Sequence, residues 1–126
     1  MSAMHVSSLA ALEPFITKDG SEIRELVGPA WTPAENQSLA EATIGPGGAT
    51  IEHYHRDTEE LYYVVEGTGR LRVGETERDV AVGDCAVIPP GERHTIVNTG
   101  DVPLRILCCC APAYTHEDTV ITGEAS

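Results

Sequence analysis

A chain of 126 residues with 8 Lys and Arg against 20 Asp and Glu carries a formal net charge of −12. Such a surface repels phosphate backbones and anionic lipid headgroups, so neither nucleic acid nor membrane is an expected partner. No run approaches the roughly 20 apolar residues that span a bilayer, and the N-terminus shows neither a basic nor an apolar leader pattern, which points to a cytoplasmic protein.

The length supports one domain around one core. Residues 7–12, Ser-Ser-Leu-Ala-Ala-Leu, could start a short helical turn, and no longer run keeps a helical period. Gly28 to Asn36, with Pro29 and Pro33 around Trp31, reads as a loop. Turn signals then recur at close spacing: Gly45-Pro46-Gly47-Gly48, Gly67-Thr68-Gly69, Val73-Gly74-Glu75, Gly83-Asp84, Pro89-Pro90-Gly91 and Asn98-Thr99-Gly100-Asp101. Between them lie short β-rich runs such as Leu61-Tyr62-Tyr63-Val64-Val65 and Leu104-Arg105-Ile106-Leu107. Leu71 and Val73 alternate with Arg70 and Arg72, the pattern of a strand with one face on a core. The punctuation predicts an all-β barrel or sandwich over residues 21–112. Residues 1–20 and 113–126, more weakly patterned, read as terminal arms, loosely ordered or docked on a neighbouring subunit.

The chemistry concentrates in His53-Tyr54-His55-Arg56-Asp57-Thr58-Glu59-Glu60, with a further histidine at His94 after Pro89-Pro90-Gly91-Glu92-Arg93. In a strand, residues i and i+2 share a face, so His53 and His55 can offer both imidazoles to one point. Three imidazoles and one carboxylate suit a first-row divalent metal and leave room in an octahedral shell for water or substrate.

These residues resemble the cupin superfamily. Its first motif, a glycine, five residues, His-x-His, three or four residues, Glu, six residues and a glycine, reads here from Gly47 through His53, His55 and Glu60 to Gly67. The second reads Gly83, Pro89, Gly91, His94 and Asn98, and Thr68 to Val82 separate the two. The resemblance implies a single jelly-roll barrel of the double-stranded β-helix type, with metal held inside by His53, His55, Glu60 and His94. It selects Glu60 over Glu59, assigns the motif glycines and Pro89 to turns, and gives Asn98 a turn-capping role. It also implies a homodimer, since the family habitually pairs its barrels. Small single-domain members are often labelled mannose-6-phosphate isomerase-like, a fold analogy that carries little mechanism.

Other side chains are weighed against plainer roles. Tyr62 shares strand parity with Glu60, so its phenol could reach the cavity or simply pack in the core. Of the basic residues, only Arg24 and Arg105 lie in strands whose parity could aim them inward, and no cluster forms a phosphate clamp, so a neutral or singly charged small-molecule substrate is expected. His5 and His116 read as surface residues. Cys85 and the run Cys108-Cys109-Cys110 form no metal-binding spacing and read as small buried hydrophobes in a reduced compartment, with one of them lining the cavity as the alternative. With Fe(II) the site would suit dioxygenase chemistry; with Mn(II), Ni(II) or Zn(II) it would suit Lewis-acid isomerase or lyase chemistry. A barrel that only binds a ligand or carries a metal is the non-catalytic alternative.

Overall fold

The computed structural model describes residues 4–124; the outermost ends of the two expected arms, residues 1–3 and 125–126, lie outside it. One 3-10 turn, Leu9–Ala11, precedes strands that form two antiparallel sheets. The larger sheet runs, edge to edge, β1 (Phe15–Ile16), β2 (Glu22–Val27), β3 (Ser38–Ile44), β10 (Leu104–Ala111), β5 (Glu59–Glu66) and β8 (Cys85–Ile88). The smaller runs β11 (Thr119–Ile121), β4 (His53–His55), β9 (His94–Asn98), β6 (Thr68–Val73) and β7 (Thr76–Ala81). Residues 28–37 form the expected loop.

Register places the inner wall of the larger sheet. Ser38, Cys110, Glu60 and Ile88 stand side by side across four strands, and the next inward row is Ala40, Cys108, Tyr62 and Ala86. Because strand side chains alternate, the intervening row, Leu39, Cys109, Leu61 and Val87, faces outward. Ile23, Ile44, Val64, Leu71, Ile88, Ile96, Leu104 and Ile106 fill the space between the sheets, and each such side chain contributes about 1.5–3 kcal/mol by leaving water.

Both terminal segments pair into these sheets. Phe15 and Ile16 of β1 pair with Ile23 and Glu22 of β2, and β11 pairs with all three residues of β4. The boundaries expected at residues 21 and 112 therefore separate strands that hydrogen-bond to the barrel: the pairing is made through backbone groups, which weak side-chain patterning does not disclose.

Candidate metal centre

His53 and His55 both point into the barrel from β4, as their spacing requires. His53 is the direct cross-strand partner of His94 in β9, with ring centroids 4.2 Å apart. Glu60 enters from the opposite sheet. The donor atoms of His53, His55, Glu60 and His94 all lie within 4.8 Å of one another, and all four residues are buried.

Hydrogen bonding explains why the imidazoles present the same nitrogen. His53 Nδ1–H donates to Ile51 O at 2.7 Å, and His94 Nδ1–H to Glu92 O at 3.0 Å. His55 stands opposite Thr119 in the β4–β11 register, and its Nδ1–H donates to Thr119 Oγ1 at 3.0 Å, while the Thr119 hydroxyl spends its own hydrogen on Thr115 O at 2.9 Å. A carbonyl can only accept, so each outer nitrogen must carry the proton. Each neutral ring then turns an Nε2 lone pair toward the centre.

Glu60 Oε1 lies 3.2 Å from His55 Nε2 and 3.4 Å from His94 Nε2. The latter contact lacks hydrogen-bonding geometry, and His94 Nε2 is a buried nitrogen without a partner. Such an orphan is costly unless a cation or proton serves it. Burial acts to raise the Glu60 carboxyl, but the hydrogen bonds and positive charge that His55 and His94 supply when their Nε2 atoms carry protons prevail and bring it down to about 2; among neutral rings a cation would have to take the place of those protons. Burial, then the charge of His94, lowers His53. A cluster of acceptors around an ionised carboxylate fits a divalent cation.

Tyr62 lines the same cavity, its ring edge-on to His94 with centroids 5.9 Å apart, and burial pushes its phenol well up, so it stays protonated. Arg24 and Arg105 are not brought to the cavity. Ile23, Glu25 and Ile106 line it, so strand alternation sends both arginines outward. Arg105 instead bridges Glu66 at 3.0 Å and Glu41 at 3.2 Å, and Arg24 lies 3.9 Å from Glu22.

The cysteines divide. Cys85 is exposed rather than buried, because it stands on the outer face of edge strand β8. Cys108 and Cys110 line the cavity, and the Cys110 thiol donates to Glu60 Oε2 at 3.3 Å, as their cross-strand pairing dictates. Burial, then the Glu60 charge, pushes both thiols up and keeps them protonated. The reading of all four as buried hydrophobes is thus corrected.

Asp19, Thr119 and Tyr114 are cavity residues that sequence reasoning missed. Asp19 could have been found from Thr17-Lys18-Asp19-Gly20-Ser21, a turn pattern that fixes an acidic side chain.

A family model described as "Cupin domain" matches residues 40–110. The chain belongs to the cupin family. An uncharacterised protein of Methanocaldococcus jannaschii is 48% identical over 110 residues, spanning 87% of this cupin and 88% of the relative. Among solved structures, a predicted oxalate decarboxylase from Thermotoga maritima superposes with a TM-score of 0.76 at 24% identity, covering 86% of this chain and 99% of its own. A Streptomyces nucleoside dehydratase superposes with a TM-score of 0.79 at 17% identity, covering 98% and 95%. At those identities the two structures speak for the cupin fold alone. No helix among the described residues is long and apolar enough to cross a membrane.

Proposed function

We propose that this cupin is a metal-dependent enzyme acting on a small organic molecule, with a divalent ion such as Fe, Mn, Ni or Zn held by His53, His55, Glu60 and His94. The observation that carries the reading is the convergence of three buried Nε2 lone pairs and one carboxylate, with His94 Nε2 otherwise unserved. A bound ion would supply Lewis acidity toward a carbonyl oxygen. The protein's own groups favour isomerase or lyase chemistry, since Tyr62 offers a phenolic proton and Asp19 a carboxylate to the same cavity. The activities named for the two structural relatives, decarboxylation and dehydration, belong to that class. Among the described residues no Lys or Arg lines the cavity, which speaks against a phosphate ester as substrate.

The test is metal analysis of untagged protein, followed by metal titration across pH. Protons and the ion compete for the same Nε2 lone pairs. Lowering the pH should weaken uptake by about tenfold per unit for each proton displaced. A pH-independent affinity would count against this ligand set.

The cupin is also read as a cytoplasmic homodimer. What supports pairing is the outer face of the larger sheet, where Leu39, Cys109, Leu61 and Val87 form one row and Leu107, Tyr63 and Cys85 the next. Val87 is 58% and Tyr63 43% exposed, an apolar surface that a twofold contact would cover. Replacing Tyr63 and Val87 with lysine should halve the mass seen by light scattering at micromolar concentration and leave metal content unchanged. A wild-type mass equal to one chain would end the dimer reading.

A further inference from the structure

Between β1 and β2 the chain makes a tight turn whose acidic residue looks into the cavity. Gly20 takes a left-handed φ of 86°, a backbone angle that costs glycine little, and its N–H donates to Thr17 O at 3.0 Å. The turn is fastened on both flanks. Ile51 N–H donates to Asp19 O at 2.8 Å, two residues before His53. Lys18 Nζ donates to His116 O at 2.8 Å and Thr119 O at 3.1 Å, on the segment whose Thr119 orients His55.

The two carboxylate oxygens of Asp19 have different surroundings. Oδ1 accepts from Thr17 Oγ1 at 2.7 Å, Ser21 N–H at 2.9 Å and Ser21 Oγ at 2.6 Å. Oδ2 faces His53 Nε2 at 3.5 Å. With His53 Nδ1–H committed to Ile51 O, that Nε2 is an acceptor in the neutral ring, so two acceptors confront each other. Asp19 lies outside the convergent set of four donor atoms. It stands at the edge of the cluster, on the wall of the same cavity.

We infer that Asp19 is a specificity-determining residue: Oδ2 accepts the hydrogen of a substrate hydroxyl, so the cavity takes a small neutral molecule bearing a hydroxyl beside a carbonyl. This reading rests on the metal site proposed above. Charge balance favours a neutral occupant, because the two positive charges of a divalent ion are met by one negative charge each from Glu60 and Asp19. Among the described residues no Lys or Arg in the cavity wall restores attraction for an anion. An anionic ligand would meet Asp19 as a like charge.

The asymmetry at Asp19 supplies a sharp test. In Asp19→Asn the amide oxygen must take the Oδ1 position, since the Ser21 backbone N–H can only donate to it, and the NH2 group then replaces Oδ2. A single acceptor becomes a donor with the shape kept. Protein loaded with Co(II) is titrated with hydroxyacetone and with methoxyacetone, followed by the visible cobalt bands. Wild type should bind hydroxyacetone about tenfold or more tightly than methoxyacetone. In Asp19→Asn the preference should vanish or reverse, and cobalt should remain stoichiometric. An unchanged preference with cobalt retained would overturn the role of Asp19 and leave the metal site standing. Loss of cobalt in the variant would show that Asp19 acts on the metal site through His53 and not on a substrate hydroxyl, which also overturns it. Failure of wild type to hold cobalt at all would sink both readings together.

Discussion

Replacing His53 and His55 together with alanine is expected to reduce bound metal from about one ion per chain to background, with the barrel still folded. Both rings project from β4 on one face, and their Nε2 atoms supply two of the four converging donors. The remaining pair, Glu60 and His94, comes from different sheets and would form a two-point site, too few ligands for tight divalent binding. The fold should survive because the aliphatic cluster from Ile23 to Ile106 does not depend on the ion. Truncating two buried rings leaves space at the cavity floor, so a lowered thermal midpoint is expected, with the far-UV spectrum of strands retained. Elemental analysis and circular dichroism on the same sample check both halves. Full metal content in the double variant would refute the site.

The second large effect is expected at Gly67, where Gly67→Ala should destabilise by about 2–4 kcal/mol and lower the melting temperature by on the order of 10 °C. Its φ of 81° is a left-handed angle that side chains rarely adopt, and a Cβ there would lie 2.6 Å from Pro103 O. Backbone cannot swing aside as a flexible side chain can. Gly47 is the internal control: its φ is 76°, yet a Cβ would meet nothing within 4 Å, so Gly47→Ala should cost only the backbone strain, about 1–2 kcal/mol. Thermal unfolding of the two variants measures the difference. Equal losses would mean that the contact with Pro103 is not what demands glycine at residue 67.

What could be read from the chain follows from how local each constraint is. His53 and His55 were legible because strand parity alone puts them on one face, and Glu60 and His94 because their spacing matches motifs whose turns are themselves marked by glycine and proline. Arg105 was not. The β10–β5 register shifts between Arg105 and Ile106, and only the paired structure shows Arg105 on the outward row between Thr43 and Glu66. Thr119 was likewise invisible, because its role arises from standing opposite His55 across a strand pair 64 residues apart in sequence. Cys110 reached Glu60 by the same route, through cross-strand pairing over 50 residues. Asp19 had a local signature in its turn, but its aim at His53 depends on Ile51 and Lys18 anchoring that turn from elsewhere in the fold.

The hydrogen bond from His55 to Thr119 ties the centre to the order in which the chain is made. The four convergent side chains have all been synthesised by residue 94, yet the hydrogen bond at His55 Nδ1 that fixes its tautomer forms only when β11 docks beside β4. A nascent chain that stops short of residue 119 therefore holds the donors without their final aim. If the four residues hold a metal as proposed, capture at full affinity would have to wait until β11 is made and paired with β4.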